Sequence, residues 1–258
     1  MISAIFNAIF YKPLFNGLVF LVDILPNHDI GLAVIILTLI VRFIIFPLSH
    51  RATVTQVKIK QLEPDIKDIK DKFKKDNQEQ AKKIMELYKK HGVSPFSSFI
   101  TLLIQLPIIF ALYKVFMTGA SFDPNNLYSF ISLPDVIHTK FLGLIEMTQK
   151  SYVLAGLAAI SQYFQISLSS PNIKKPSGPS QSFSDQLARS MSFQAQFIMP
   201  LIVFWIGLKF SSAVALYWTT MNIFAIVHEV FVRKKAEKIL NYAGESNSND
   251  KKNSGGPA

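Results

Sequence analysis

Residues 30–51 read IGLAVIILTLIVRFIIFPLSHR, and this stretch decides the fold. It is apolar over the length that a helix needs to cross a bilayer core, about 20 residues. Arg42 lies well inside the apolar run. A guanidinium in hydrocarbon costs at least about 2.5–3.5 kcal/mol, and it cannot lose its proton to escape that cost. Arg42 therefore either snorkels toward the cytoplasmic headgroups or is a functional cation inside the membrane.

The composition is that of a polytopic membrane protein. Hydrophobic residues make up 50% of the 258 residues, phenylalanine occurs 22 times, and several apolar runs are long enough to span. Cysteine is absent from the sequence, which excludes disulfides, thiolate metal sites and a cysteine nucleophile. The sequence also lacks a glycine-rich phosphate loop, a His-Glu zinc pattern and a Ser-His-Asp arrangement. We therefore expect no enzyme, no cofactor and no metal site.

Hydrophobic periodicity predicts an all-α membrane protein, a five-span helical bundle with a cytoplasmic helical hairpin and an N-terminal interfacial helix. The predicted segments are an N-terminal interfacial amphipathic helix at 1–28, span 1 at 29–51, the cytoplasmic helical hairpin at 52–93, span 2 at 94–117, an outer loop at 118–150, span 3 at 151–169, a cytoplasmic loop at 170–192, span 4 at 193–210, span 5 at 213–232, and a basic cytoplasmic tail at 233–258 with a disordered end.

Two of these segments leave alternatives open. Residues 1–25 could form a sixth span instead of an interfacial helix. The hairpin is either a solvated helical loop or a docking surface for a protein partner. Its basic residues, like those of the tail, favour anionic lipid headgroups or a ribosome surface over a nucleic acid substrate, because they lie next to membrane spans.

The distribution of basic residues predicts the orientation. Lysine and arginine number twelve in 49–93, two in 118–150, three in 170–192 and six in 233–258. The positive-inside rule assigns the basic segments to the cytoplasm. We therefore expect the N-terminus outside, the C-terminus in the cytoplasm, and Arg42 in the cytoplasmic half of the bilayer.

Polar residues recur at helical spacing within the spans. They are Thr38, Arg42 and Ser49 in span 1, Thr101 and Gln105 in span 2, Ser161, Gln162, Gln165 and Ser169 in span 3, and Trp218, Asn222 and Glu229 in span 5. Any one of the uncharged residues can simply make an interhelical hydrogen bond, which contributes about 0.6–2 kcal/mol. Four polar faces together with an arginine indicate a water-filled cavity that transiently receives polar or acidic peptide.

The motifs, taken in order, resemble those of the YidC-type membrane protein insertases and their mitochondrial and chloroplast relatives. The matching strings are LTLIVRFIIFPL, LYKKHGVSP, LLIQLPIIFALY, AAISQYFQ, MPLIVF and ALYWTTMNIF, which together extend over most of residues 12–235. Each string alone is weak evidence for the family, and it is their order and spacing that make the resemblance specific.

The resemblance implies a hydrophilic groove, open to the cytoplasm and to lipid, in the bacterial cytoplasmic (inner) membrane. Arg42 would lie in it, with Thr38, Gln105, Gln165, Trp218 and Asn222 as further lining. The implied function is a membrane protein insertase and chaperone. Nascent membrane proteins would be its clients, the ribosome would meet the basic tail, and a Sec-type translocon, signal-recognition components and anionic lipids would be further partners. The alternatives are a scaffold or chaperone that acts only beside a translocon, and a small-anion transporter.

Overall fold

The computed structural model describes residues 2–74, 76–94, 97–117, 122–169 and 193–253, and it is mostly helical. The predicted cytoplasmic loop at 170–192 lies outside the described residues. The helices are α1 (Ile2–Phe6), α2 (Lys12–Ile24), α3 (Ile30–Gln61), α4 (Glu63–Lys72), α5 (Asn77–Lys90), α6 (Ser97–Met117), α7 (Tyr152–Ser169), α8 (Met199–Lys209) and α9 (Ser212–Asn253). π-Helical turns at Asn7–Tyr11 and Gln194–Ile198 precede α2 and α8.

Helix α3 carries the stretch that decides the fold. Asp29 caps its first turn, because its carboxylate accepts hydrogen bonds from the amides of Gly31 at 2.7 Å and Leu32 at 3.1 Å. The helix continues through Pro47 to Gln61 without a break. The predicted boundary between span 1 and the hairpin therefore falls inside one continuous helix, whose charged end extends beyond the apolar part.

Helices α4 and α5 follow at the end of α3. Proline at position 64 lies in the first turn of α4, where a missing amide proton does no harm. Asp76 caps α5 by accepting from the amides of Gln78 and Glu79, both at 3.0 Å. The side-chain amide of Gln80 donates to the backbone carbonyl of Lys70 at 3.3 Å and joins the two helices. This region carries most of the basic charge that the sequence places between spans 1 and 2.

Three helical stretches in the described part of the chain are long and apolar enough to cross a membrane: Ser3–Ile24, Ile30–Gln61 and Ser212–Val232. Shorter apolar helices run over Gln105–Phe116 and Gln194–Lys209. An all-α membrane protein is confirmed, and the number of five spans stays a prediction. Helix α9 continues to Asn253, through the segment whose composition predicts a disordered end.

A small β-hairpin in the segment before α7 covers the start of α3. Strands β1 (Lys140–Phe141) and β2 (Ile145–Glu146) pair antiparallel, with Phe141 opposite Ile145. The second carboxylate oxygen of Asp29 accepts from the Leu142 amide at 2.7 Å, so one buried side chain holds both α3 and the hairpin. The sequence predicted an outer loop in this segment and did not include these strands.

The apolar core lies at one end of the bundle. Most of its members come from the N-terminal helix, from the starts of α3, α7 and α9, and from the second half of α6, at 11–22, 30–37, 154–158, 213–217 and 108–116. Helix α6 is therefore antiparallel to α3, α7 and α9. Gly207 allows α8 to approach α7 closely, because a Cβ there would lie 2.9 Å from that of Ala155.

The N-terminal helix packs against this same end. The Asn16 side chain accepts from the Tyr128 amide at 2.7 Å and donates to the Asn126 carbonyl at 2.9 Å. Further toward its N-terminus, the Lys114 ammonium near the end of α6 lies over the Tyr11 ring, 4.2 Å from its centroid. The helix thus contacts the segment before α7 and the last turns of α6 along much of its length.

Candidate functional site

A polar cavity of about 270 Å³ lies between α3, α6, α7 and α9, on the side of the bundle away from the apolar core. Four of its fifteen lining residues are apolar. The other eleven are polar or charged: Arg42, Ser49, Thr53, Gln56, Gln105, Gln162, Gln165, Ser169, Asn222, His228 and Glu229. A concentration of polar groups among otherwise apolar helices favours water inside the cavity.

Arg42 lines this cavity from α3 and is partly exposed to it. Among the described residues, no carboxylate lies within ion-pair distance of its guanidinium. A permanently charged group without an acidic partner inside a membrane helix needs water or a visiting anion.

A chain of hydrogen bonds forms the opposite wall. The Trp218 indole donates to the Gln162 side chain at 2.8 Å, which in turn donates to Gln165 at 3.4 Å. Gln165 donates to the Ser169 hydroxyl at 3.1 Å, and that hydroxyl donates to the buried carboxylate of Glu229. The chain runs along α7 and fixes its polar face toward α9, so the wall is preorganised.

Two further polar side chains connect the cavity to the apolar core. Gln105 on α6 donates to the buried hydroxyl of Tyr217 on α9. Asn222 is buried, and its side-chain amide donates to the Ser161 hydroxyl at 3.1 Å. Both residues line the cavity and also hold neighbouring helices together, as buried polar groups must be hydrogen-bonded.

Two histidines lie near the end of the cavity that is farther from the core. His50 Nδ1 and His228 Nε2 are 3.0 Å apart, so one ring donates and the other accepts. The ring of Phe46 stacks on His50 at a centroid distance of 5.5 Å, and Phe224 lies 6.4 Å from His228. These contacts join α3 and α9 beside the cavity.

Four of the six residues that the sequence predicts for the groove line the cavity together: Arg42, Gln105, Gln165 and Asn222. Thr38 does not line it, since it is buried and its hydroxyl donates to the Val34 carbonyl at 2.6 Å. Trp218 is also not part of the lining and acts on it through Gln162. Both residues share a helix face with a lining residue, but lie closer to the core.

The sequence prediction placed Ser49 on the face of Arg42 and omitted two lining residues further along α3. Thr53 and Gln56 continue that face, four and seven residues after Ser49. This helical spacing could have revealed them. They were missed because they lie past the apolar run, where polar residues are the ordinary finding.

Apolar side chains are exposed along the surfaces of α7 and α9. On α7, Val153, Ile160 and Phe164 are each more than half exposed, at 64%, 56% and 58%. On α9, Ile223 and Phe231 are similarly exposed. Exposed apolar surface of this extent is suited to contact with lipid chains or with another apolar helix.

The comparison with known families decides the membership of the chain. The family model described as 60Kd inner membrane protein matches residues 21–239. The chain belongs to this family. The matched region contains every residue that lines the polar cavity.

Relatives with the name "Membrane protein insertase YidC" confirm the resemblance seen in the sequence. The protein from Wolinella succinogenes is 32% identical over 232 residues, which is 90% of this chain and 38% of the relative. The one from Campylobacter jejuni is 29% identical over 86% of this chain and 37% of its own length. The one from Clostridium tetani is 28% identical over 83% of this chain and 86% of its own length. The chain therefore spans less than half of the first two relatives and most of the third.

Proposed function

We propose that this protein is a membrane protein insertase. It receives nascent membrane proteins from the cytoplasm, moves their short polar flanks part of the way across the bilayer through the polar cavity, and releases their apolar segments into lipid. The observation that carries the proposal is the cavity itself, in which Arg42 has no acidic partner within the described chain, closed at one end by an apolar core. The printed names of the relatives agree with it.

The proposed orientation puts the core outside and the cavity toward the cytoplasm. The segment at 122–150, with two basic residues, adjoins the core end, whereas the twelve basic residues of 49–93 lie in the second half of α3 or after it in the sequence. This arrangement agrees with the positive-inside rule. It places the N-terminus outside and the C-terminus inside the bacterial cytoplasmic membrane.

We place the N-terminal helix along the outer surface, although it is long enough to span. Near its N-terminal end, Asn7 and Tyr11 contact Lys114 at the outer end of α6. At its other end, Ile24 is followed directly by the turn into the outer end of α3. A transmembrane helix would have only one end at this level, because 22 residues extend about 33 Å.

In the proposed mechanism, Arg42 attracts acidic residues in the flank of an arriving substrate. The attraction is stronger than in bulk water because the effective dielectric constant between the helices is lower. Water and the polar wall along α7 reduce the desolvation of the flank during its passage. The membrane potential assists acidic flanks, at about 2.3 kcal/mol per charge per 100 mV.

The apolar part of the substrate then moves over the exposed stripes of α7 and α9 into lipid. Its transfer is driven by burial of apolar surface, at about 25 cal/mol per Å². No covalent bond is made or broken in this sequence, so the function is not enzymatic. The helices α4 and α5 would dock substrates, signal-recognition components or a Sec-type translocon, and the basic end of α9 would meet the ribosome or anionic lipid.

The test is insertion by the purified full chain in liposomes. The substrate is a single-span protein with a short acidic outer tail, and protection of that tail from added protease is the readout. We expect more protection of the tail than in empty liposomes. Arg42→Glu should abolish this protection. Arg51→Glu should not, although it makes the same charge change, because its position on α3 is exposed and outside the cavity. Protection equal to that of empty liposomes would assign the protein a scaffold role instead.

A further inference from the structure

A second cavity, of about 510 Å³, lies at the core end of the bundle. It is formed where the end of α6, the residues before α7, and the turn between α8 and α9 meet. The turn is held in place by Ser212, whose amide and hydroxyl both donate to the Gln149 carbonyl, at 2.7 and 2.6 Å. Tyr113 and Phe210 form an edge-to-face pair at 4.8 Å that makes one wall. The cavity is thus a fixed feature of the fold.

Two lysines line this second cavity, Lys150 and Lys209. Within the ranges that the structure describes, neither has a carboxylate partner. The other lysines nearby differ, because Lys114 contacts Tyr11 and Asn7, and Lys140 lies opposite Glu146 across the β-hairpin. Two unpaired positive charges on one concave surface, beside the polar groups of Gln149 and Ser211, favour a bound anion.

The surroundings of Lys209 favour a lipid as the source of that anion. Its ammonium lies 5.6 Å from the ring centroid of Trp205, one turn earlier on α8. Trp205 is 60% exposed and Leu201 67%, so this face of α8 is directed to the lipid. A tryptophan with a lysine just beyond it is the arrangement found at the headgroup level of a bilayer.

We propose that this cavity binds the phosphate of an anionic phospholipid headgroup in the outer leaflet, with Lys150 and Lys209 as its cationic ligands. The assignment to the outer leaflet rests on the orientation proposed above. The binding itself does not depend on insertion activity. The nearest carboxylate along the chain, that of Glu146, accepts hydrogen bonds from the hydroxyls of Thr139 and Thr148, at 2.9 and 2.7 Å, and Thr148 itself lines the cavity. The described ion pairs include none between this carboxylate and either lysine.

The experiment uses Trp205 as the reporter, in a full chain that carries Trp218→Phe. The protein is reconstituted into phosphatidylcholine nanodiscs, and its fluorescence is quenched with increasing fractions of brominated phosphatidylglycerol or of brominated phosphatidylcholine with the same chains. We expect the mole fraction that gives half-quenching to be lower for brominated phosphatidylglycerol than for brominated phosphatidylcholine. Each lysine that contributes about 1 kcal/mol should lower this mole fraction by about fivefold.

The fluorescence of the double variant K150Q/K209Q should be quenched equally by the two brominated lipids. The matched control is K12Q/K140Q, which removes the same charge from exposed lysines at the same end of the bundle but outside the cavity. Equal quenching by both lipids in the protein that retains Lys150 and Lys209 would overturn the site. A preference for the anionic lipid that survives in K150Q/K209Q would also overturn it.

A final arm separates a lipid headgroup from a free phosphate ester. Glycerol 1-phosphate is added at millimolar concentration to the nanodiscs. A headgroup site keeps its preference for phosphatidylglycerol, because the lipid is held at high local concentration by its chains. Loss of the preference would overturn the lipid assignment in favour of a soluble phosphate. Since none of these readouts requires insertion, a negative result leaves the proposed function standing, and a failed insertion assay leaves the site standing.

Discussion

Gly31→Ala should loosen the closed end of the bundle. A Cβ at this position would lie 2.5–2.7 Å from Cδ2, Cβ and Cγ of Phe141, closer than real contacts allow. One of these atoms is the Cβ of a strand residue, so the clash cannot be relieved by rotating the side chain alone. Overpacking costs about 1–3 kcal/mol, and alanine returns up to about 1 kcal/mol of helix propensity. We therefore expect a net loss of about 1–2 kcal/mol in the free energy of unfolding.

The measurement is equilibrium unfolding in detergent micelles, followed by circular dichroism. Gly156→Ala is the matched control, because this glycine is also inside a helix but has open space where a Cβ would be. It should leave the free energy of unfolding unchanged or raise it by up to about 1 kcal/mol. In the background of Phe141→Gly, which removes all three contacting atoms, Gly31→Ala should cost little, so a double-mutant cycle should give a coupling of about 1 kcal/mol or more.

Two results would refute the reasoning. If Gly31→Ala and Gly156→Ala change the free energy of unfolding alike, the close packing on Phe141 does not limit this position. If Phe141→Gly fails to relieve Gly31→Ala, the loss has another origin and the β-hairpin does not cover α3 as described.

Four further changes test other parts of the structure. Arg42→Leu should raise the free energy of unfolding by about 1–2 kcal/mol, since the arginine is only partly solvated by the cavity, while it lowers protease protection in the insertion assay. Asp29→Ala should lower the free energy of unfolding by about 2–4 kcal/mol, because it removes a helix cap and leaves the Leu142 amide without its acceptor. Asp76→Ala should speed amide hydrogen exchange at the start of α5 and not in α3, as only a cap worth about 1 kcal/mol is lost. The hydrogen bonds from Thr148 lower the pKa of Glu146. The hairpin contacts should therefore be complete above the usual pKa of a glutamate and be lost as the pH falls through the lowered value. An NMR titration of Glu146 in Thr148→Val should show that its pKa shifts upward.

The predicted fold was most accurate where hydrophobic length alone is decisive. The apolar run at 30–51 predicts a long helix, and the structure has it within α3. The β-hairpin at 140–146 could not be read in the same way, because strands of two residues leave no periodicity. Its position depends on the carboxylate of Asp29, more than a hundred residues earlier.

The sequence also predicted part of the candidate site and not the rest. Arg42, Gln105, Gln165 and Asn222 were recognisable in the sequence as polar residues out of place in apolar helices, and they meet in one cavity. Thr38 was expected beside them, and its hydroxyl is instead satisfied within its own helix. Helical spacing predicts which face a residue is on, and cannot predict at what depth that face leaves the core and reaches the cavity.

The sequence by itself determined that the chain is a helical membrane protein with a charge inside its first long apolar helix. It did so because hydrocarbon penalises polar groups so strongly that length, hydropathy and one misplaced arginine are readable without coordinates. Only the tertiary structure decided that the polar faces of four helices share a single cavity, that the bundle is closed at the opposite end, and that two lysines far apart in the chain line a second pocket there. These features arise from the way antiparallel helices are aligned along one another, and that alignment is set by packing between residues distant in sequence.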